Sequence, residues 1–479
     1  MKRENVYTKW LFCLMAAFAM TISISWAAEQ HMSFDDLLKL KQTTDDPSPI
    51  FKKLEGYKKV MSPNDYKKVT FDVEASKKAW AEVVGFKAPD VVGKVAPEIQ
   101  PGKYTYKDKD KFPFDKIMFK RMHDKFNPVP TSGPRLVSNF TEMEIVPTRQ
   151  YYQPLPTAEA TLKNLGSAKL DDQGYLIPES YNTGYPFPRP EGKYKAQQIM
   201  CNWIKKYFGY EDILNIESTT GYSSNLKQDY YALGKSISLR LEGRTIVEPK
   251  GWYDQRAKEQ KERFGWVYWN LAPRDVFGNV ANLIFYSDPK EDLFLYYINN
   301  LRRVRKLSAS DTQDPVYGVD LIWEDLWGFS QKLSPKRYPY KYEMVGEAEY
   351  LIPITWDGSP YLSTKEGFIL RNLQFERRPI WIVQLTQQDK NYIYSKRTLY
   401  FDRETFNLYH VENYDQKGRL YRTYETVYAF IPEMGLWNQY IQLYLDHVDV
   451  HSTYDLALQY PLLGMTRADV SMSNMIKTK

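Results

Sequence analysis

The sequence predicts an α+β protein built on one large, curved antiparallel sheet. Three observations carry this expectation. Residues 392–430 hold three strand-like runs, separated only by the polar turns Asp402-Arg403-Glu404-Thr405 and Asp415-Gln416-Lys417-Gly418. Turns this short leave no room for a crossover helix, so neighbouring strands must run antiparallel. One helix stands out: Ala196, Ile199, Met200, Trp203, Ile204, Tyr207 and Phe208 recur at the spacing of a single helical face. Strand-like segments then follow one another to the end of the chain, roughly ten in all, with helices before and between them. One face of such a sheet is buried and the other wet. The chain therefore suits covering something apolar better than holding a cofactor at the ends of parallel strands.

The N-terminus reads as an export signal over residues 1–27. Lys2, Arg3 and Lys9 precede the apolar run 10–25, and Ser25-Trp26-Ala27 offers small residues for cleavage after Ala27 or Ala28. An uncleaved anchor is the alternative. Cys13 lies in the apolar run without a lipoprotein cleavage box, which leaves Cys201 as the mature chain's one thiol. A single thiol makes no internal disulfide, and a chain this long has no need of one to bury a core. Removing the leader, with its Lys2, Arg3, Lys9 and Glu4, takes the formal net charge from +6 to +4. That mild charge says little about partners; nothing beyond 302–306 resembles a nucleic-acid footprint, and the export signal conflicts with a nucleic-acid partner.

Residues 28–140 are expected to form a helical, loop-rich extension wrapping the body, with 141–479 as the main domain. Ser33 can cap a helix reaching Leu40, and 73–84 is a second helix, with Ala75, Trp80 and Val84 among its apolar positions. Pro186, Pro188 and Pro190 stiffen the approach to the main helix, which Gly209 ends and whose last turn carries Lys205 and Lys206. Strands are expected over 236–247, 266–271, 281–287, 293–298, 342–352, 368–376, 379–386 and 443–451. Helices are expected over 253–263 and 321–333, the latter from Trp323 and Trp327 one turn apart.

Several blocks carry a family resemblance: Gly-Tyr-Pro-Phe-Pro-Arg-Pro at 184–190, Leu-Arg-Arg-Val-Arg-Lys at 301–306, Arg-Tyr-Pro-Tyr-Lys at 337–341, Tyr-Ser-Lys-Arg at 394–397 and Tyr-Asp-Gln-Lys-Gly-Arg-Leu at 414–420. With them, the chain resembles the exported bacterial domain-of-unknown-function family numbered thirteen twenty-nine. Its members look like enlarged relatives of the LolA/LolB lipoprotein-sorting proteins. The resemblance implies a half-open antiparallel β-barrel closed by helices, within 141–479. In LolA and LolB that hollow binds lipoprotein acyl chains. Members often accompany RND-type exporters and outer-membrane partners. The resemblance transfers no catalytic residue and no cofactor.

A barrel wall needs inward apolar residues at alternate positions. Trp381, Val383 and Leu385 form one such face, Leu399 and Phe401 another, and Tyr342, Met344 and Tyr350 a third. These are the expected cavity residues, and a charge at Val383 is expected to abolish ligand binding without unfolding the chain. The helix residues Ile199, Met200, Trp203 and Ile204 are the expected lid. Arg302, Arg303, Arg305 and Lys306 are candidates for a lipid head group or an acidic partner, with surface ion pairs as the plain alternative. His447, Asp449 and His451 alternate along the expected strand 443–451, which would put a metal-ligating set on one face, without a visible fourth ligand. His410 reads as a core histidine. Glu343, Glu347 and Glu349 read as a wet strand face rather than paired catalytic acids. No nucleophile elbow, phosphate-binding loop or Cys-Xaa-Xaa-Cys pair is present.

These expectations add up to a non-enzymatic periplasmic carrier of a Gram-negative-type cell, associated with outer-membrane lipoprotein or lipid transport. Its ligand would be a lipid, a lipoprotein acyl chain or another hydrophobic molecule. The alternatives are an adaptor of an RND-type envelope complex and, further off, a metal-dependent enzyme through His447 and His451.

Overall fold

The structure, a computed structural model, describes residues 61–206, 210–287, 290–308, 311–356 and 360–471. The expected leader, the helix at Ser33 and residues 207–209 of the main helix lie outside these. The helices are α1 (Pro63–Lys68), α2 (Val73–Val84), α3 (Ala88–Val91), α4 (Phe114–Ile117), α5 (Lys120–Lys125), α6 (Leu155–Lys163), α7 (Lys195–Lys206) and α8 (Gln255–Gln260). The strands begin with β1 (Gly102–Thr105), β2 (Glu142–Ile145), β3 (Ile213–Tyr222), β4 (Gln228–Arg240), β5 (Glu262–Ala272), β6 (Val280–Tyr286), β7 (Leu293–Ile298) and β8 (Arg303–Lys306). They continue with β9 (Tyr340–Thr355), β10 (Tyr361–Ser363), β11 (Ile369–Arg371), β12 (Gln374–Gln387), β13 (Lys396–Asp402), β14 (Leu408–Tyr414), β15 (Leu420–Ile431), β16 (Leu436–Asp446) and β17 (His451–Pro461).

The predicted class is what forms: a mostly antiparallel sheet of 15 strands with a few helices, open rather than closed. Its order is β1-β2-β12-β13-β14-β15-β16-β17-β3-β4-β5-β6-β7-β8, with β9 lying along β12. The last strand, β17, pairs with β3, so the end of the chain ties the two halves together. The tail of β9 also meets β15 in parallel, at Ile354 opposite Tyr428 and Thr355 opposite Ala429. This corner of the sheet folds in on itself, while β1 and β8 remain separate edges.

Local chemistry explains the elements. Asp72 accepts from the Ala75 amide (2.6 Å) to start α2, and Gly85, at φ 85, ends it. Asp402 Oδ1 accepts the amides of Glu404 and Thr405, fixing the β13–β14 turn. Asp415 does the same for Lys417 and Arg419 before β15. Such side-chain-to-backbone bonds supply the turn that the sequence predicted. The hairpin in turn anchors the N-terminal segment. Trp80 Nε1 donates to the Glu404 carbonyl, and the Glu404 carboxylate accepts the amides of Ala88 and Tyr151. Arg378, with no exposed surface, neutralises Glu404 and Asp402 together (2.7 Å each).

Four expected elements differ. Segments 368–376 and 379–386 become β11 plus one continuous β12. Pro379 is tolerated there because β13 joins only from Ile380 onward, so that edge has no ladder bond to lose. Segment 321–333 is not a helix: Trp323–Gly328 is a short 3-10 turn in which Trp327 turns left-handed, at φ 57. Segment 443–451 breaks at the turn 447–450 between β16 and β17. Strand β3 was not anticipated. Its Glu217 and Thr219 are polar residues that line a hollow, so the strand lacks an apolar alternation.

The wall of β9, β12 and β13 is filled. Trp381, Val383, Leu385, Leu399 and Phe401 are buried in the main apolar core, with Tyr342, Met344 and Tyr350 half-buried against it. Trp203 of α7 packs on Phe401, with ring centres 6.1 Å apart. The charge at Val383 therefore has a different expected outcome from the one read off the sequence. Val383→Asp should destabilise the whole fold by on the order of 4 kcal/mol or more, because it buries an unpaired carboxylate. Thermal unfolding followed by circular dichroism measures this, and an unchanged melting temperature would show that the wall is hollow after all.

Candidate functional site

The candidate site is built on the other half of the sheet, on the face of β3–β8 that carries Phe264, Trp266, Tyr268, Leu283, Phe285 and Phe294. The opposite face of these strands has its own small core of Leu239, Val267, Trp269, Val280 and Leu295, closed by Val470. The strap 311–335 crosses the inner face. Trp323 stands edge-on to Phe294 at 4.3 Å, and Trp327 meets Trp266 at 6.0 Å.

A buried polar network holds the strap. Arg397, with no exposed surface, donates to Asp325 Oδ1 (2.7 Å) and to the Tyr392 hydroxyl (3.0 Å). Tyr394 donates to Asp325 Oδ2 (2.6 Å). Glu324 accepts from Tyr392, Tyr338, Thr312 and Gln331. Burial pushes the Glu324 carboxyl up, against these hydrogen bonds and the Arg397 charge, which pull it down.

Among the described residues, three hollows beneath the strap and α7 concern the site. The largest of them is open on one side and offers about 400 Å³. Its apolar floor is Leu283, Phe285, Phe294, Leu307 and Trp323, and Arg337–Glu291 (2.6 Å) and Lys332–Asp292 (2.8 Å) are ion pairs of its lining. A second, of about 330 Å³, is lined by Cys201, Ile204 and Lys205 of α7, by Arg263 and by Lys332. Lys332 borders both. The third is smaller, about 70 Å³, and shares Trp323 with the first.

The third hollow has an unusual seat. Gln442, Asp455 and Thr219 sit side by side across β16, β17 and β3. Thr219 Oγ1 and Gln442 Nε2 donate to the two Asp455 oxygens, at 2.8 and 3.1 Å. Glu217 lies diagonally beside Asp455, and Trp266, Tyr268, Trp323 and Trp327 complete the lining. Burial raises Glu217 well above the carboxylate range, reinforced by the Asp455 charge, and lifts Asp455 to about 7. Two carboxyls close together in an apolar hollow are held toward the neutral form.

The structure places the other sequence-derived candidates as follows. Ile199, Met200, Trp203 and Ile204 are all buried. Trp203 faces the filled wall and donates to the Phe329 carbonyl of the strap (2.8 Å), while Ile204 faces the second hollow. The helix thus divides wall from hollow. Arg302, Arg303, Arg305 and Lys306 are exposed at the free edge, and Lys306 borders the largest hollow. His447, Asp449 and His451 do not share a face, because the chain turns between them. His447 Nε2 meets Thr423 Oγ1 (3.0 Å), and burial pushes its ring down to about 4. His451 bridges Asp320 (2.6 Å) and Asp229 (3.1 Å), and the Asp320 hydrogen bond raises it to about 9. Among the described residues no group of three or more His, Cys, Asp or Glu is placed to hold a metal. Glu349 is not on a wet face: it is buried against Arg377 at 3.1 Å. His410 is a core residue, stacked on Phe119 at 4.4 Å.

Sequence reasoning missed Leu283, Phe285, Phe294, Arg263, Lys332, Glu217 and Asp455. The first three lay in segments read as strands but carried no signal of which half was hollow. Glu217 lay in the unrecognised β3.

Fold and site together define an open antiparallel sheet that is filled on one half and hollow on the other. The family model described as Protein of unknown function (DUF1329) matches residues 134–468. The chain belongs to that family. It is similar to Uncharacterized protein PA3922 of Pseudomonas aeruginosa, at 24% identity over 328 residues, 65% of this chain. The match spans 66% of that relative, slightly under two thirds of its length. A solved DUF1329 family protein from Desulfovibrio piger is similar at 17% identity and a TM-score of 0.40, covering 57% of this chain and 93% of that one. A LolA superfamily protein from Nitrosomonas europaea gives 11% identity and a TM-score of 0.37, covering 58% of this chain and 98% of that one. Among the described residues no helix is long and apolar enough to cross a membrane, which leaves strands out of account.

Two pH dependences follow. Asp455 is an acid whose folded value is raised from 3.8 to about 7. Folding therefore loses stability as pH rises from about 4 toward 7, where the unfolded carboxyl ionises and the buried one does not. Asp455→Asn should gain on the order of 1–2 kcal/mol relative to wild type at pH 8 and nothing at pH 4. Melting temperatures of both proteins across this range check it. His451 has the opposite sign, being a base raised from 6.5 to about 9. Its stabilisation is full below pH 6.5 and drains as pH rises through 9. His451→Gln should lower stability by on the order of 1 kcal/mol at pH 6, discounted for a partly exposed ring, and by little at pH 10.

Proposed function

We propose that the protein is a periplasmic carrier that shields a hydrophobic molecule, non-covalently, in the hollow beneath the strap. The observation that supports this best is the contrast between the two halves of one sheet. The β9, β12 and β13 wall is packed solid, whereas the inner face of β6 and β7 fronts a hollow of about 400 Å³ with an apolar floor. Protein interiors are packed to near-crystal density, so a hollow of this size between strap and sheet is room for a ligand. Charged groups border the floor, so the site combines an apolar interior with polar orienting groups, the usual make-up of a small-molecule pocket. The export signal expected over residues 1–27 would route such a carrier into the space between two membranes. Binding and release need no bond chemistry, only loading through the free-edge side and unloading onto an envelope partner such as an RND-type exporter or an outer-membrane protein. The filled wall by itself favours the adaptor reading, in which the chain joins such a complex and carries nothing.

The mature protein purified from its own periplasm is expected to carry an extractable hydrophobic compound, seen by native mass spectrometry before and after solvent extraction. A clean apo mass with nothing extractable would favour the adaptor. Leu307 tests the position. It is half-buried on the floor near the free edge, and its amide bonds the Phe294 carbonyl, an interaction independent of the side chain. Leu307→Asp should fold normally yet weaken binding of a fluorescent fatty-acid probe by about tenfold or more, from the charge placed on an apolar floor. Unchanged affinity in the folded variant would put the ligand elsewhere.

A further inference from the structure

We propose that the free edge β8 is a docking site for an extended acidic segment of a partner protein, which joins the sheet there as its next strand. The inference goes beyond the carrier reading and holds for a carrier and an adaptor alike.

Two properties coincide on β8. The first is charge. Arg302, Arg303, Arg305 and Lys306 are all exposed, and among the described residues none of them forms an ion pair. The carboxylates at the start of β7 are taken: Glu291 by Arg337 (2.6 Å) and Asp292 by Lys332 (2.8 Å). Arg337, and more weakly Lys306, hold the Glu291 carboxyl below its usual range. The second property is the backbone. In the sheet β8 bonds to β7 alone, from Ile298 opposite Arg303 to Leu295 opposite Lys306, without a break in register. The Leu307 amide donates to the Phe294 carbonyl (2.9 Å). Antiparallel ladders alternate, so Arg303 and Arg305 also turn their backbone groups toward β7. Val304 and Lys306 therefore turn theirs outward, an N–H and a C=O each.

Proteins usually blunt such an edge with a proline, a bulge or a covering loop. Among the described residues β8 has none of these, and Val304, 37% exposed, adds an apolar contact. The opposite edge, β1, follows directly on Pro101, and its Tyr104 is packed by Phe112 and Phe114 (5.3 Å to each ring). Charge is the guard left on β8, and it is selective: a second copy brings its own arginines, whereas an acidic strand brings the complement.

This coincidence decides the class of partner. Lipid phosphates answer the cations but not the row of alternating donors and acceptors. An uncharged strand answers that row but not the cations. An acidic strand answers both, its main chain supplying affinity and its alternate side chains specificity. Side chains alternate along β8, so the complement carries acids opposite Arg303 and Arg305 and an apolar residue opposite Val304. The turn before the edge is fixed in advance. Arg302 is left-handed, at φ 49, with its amide on the Asn299 carbonyl (3.1 Å), and Asn299 Nδ2 holds the Phe277 carbonyl of the neighbouring turn (3.2 Å). Docking therefore orders little of this chain.

The test is fluorescence anisotropy on the mature protein with a labelled peptide of about eight residues, glutamates alternating with valines. Its comparisons are the same peptide with lysines for glutamates, the acidic peptide N-methylated on alternate amides, and vesicles of phosphatidylglycerol. The acidic peptide is expected to bind, more weakly as salt is added, and to slow hydrogen exchange at the Val304 and Lys306 amides. Arg303→Glu combined with Arg305→Glu, both exposed, should fold normally and weaken binding by about tenfold or more. Val304→Pro removes an outward amide and should abolish measurable binding. Should that variant fail to fold, the N-methylated peptide makes the same test on the wild type and should bind more weakly by about tenfold or more. Equal binding of the lysine peptide overturns the choice of an acidic partner. An N-methylated peptide as tight as its parent, displaced by the vesicles, makes the edge a basic patch for lipid head groups and overturns the strand. No binding of the acidic peptide up to about millimolar concentration overturns the site altogether. The carrier reading stands or falls separately, on the compound extracted from the hollow.

Discussion

Everything about the site depends on one buried ion pair, Arg397 with Asp325. It fastens the strap to the sheet, and the strap is the roof of the hollow. A guanidinium without exposed surface is costly to desolvate, and close acceptors are what make its burial tolerable. Here Asp325, Tyr392 and Asn413 supply acceptors, and the Phe329 ring lies 5.4 Å from the guanidinium carbon. The same group of residues positions Trp323 and Trp327. Trp327 holds a left-handed backbone, sparsely populated for a bulky residue, and its amide faces the Tyr444 hydroxyl at 3.3 Å. Such strain persists only where the surroundings over-determine it, and the Arg397 network a few residues away is what does so.

The two halves of the sheet differ because of what is laid against them. On the β12–β13 side, α7 presents Trp203 to Phe401, and large rings from both partners meet without a gap. On the β6–β7 side, the strap touches the sheet through Trp323 and Phe294 and leaves a hollow over Leu283 and Phe285. Ion pairs border the space, Lys332 with Asp292 and Arg337 with Glu291. Closing the roof onto Leu283 and Phe285 would drag those charges into an apolar contact, which is more costly than leaving the space. Charged borders therefore keep an apolar interior from collapsing.

The fold was largely legible in the sequence and the site largely was not. Period-2 alternation over most of the sheet, the Asp402 and Asp415 turns and the helical face of α7 are local signals, and these produced the elements they announced. The antiparallel class follows from them. The hollow is a property of the distance between strap and strands, set by Arg397 and Asp325 far apart in the chain, and no local pattern encodes that distance. Trp381 and Leu399 have the same inward alternation as Phe285 and Leu283, and all four are buried, yet it is the second pair that lines the hollow. Strand β3 failed for a physical reason too: its inward residues, Glu217 and Thr219, are polar, because they face the Asp455 and Gln442 network rather than a core. The His447–His451 set failed because Asp446 accepts the amides of Val448 and Asp449, building a turn where alternation suggested a strand.

The hollows also have opposed electrostatics. At one end, burial keeps Glu217 and Asp455 toward their neutral forms among tryptophans, so that end loses its charge as pH falls below about 7. Beneath α7, Arg263 keeps its charge at any working pH, while burial works against the Lys332 ammonium and the Asp292 charge supports it. The exposed Arg303, Arg305 and Lys306 of β8 form the free edge, and Lys306 borders the largest hollow. A charged edge strand resists pairing with further copies of itself, so that border stays open instead of being sealed by a second sheet.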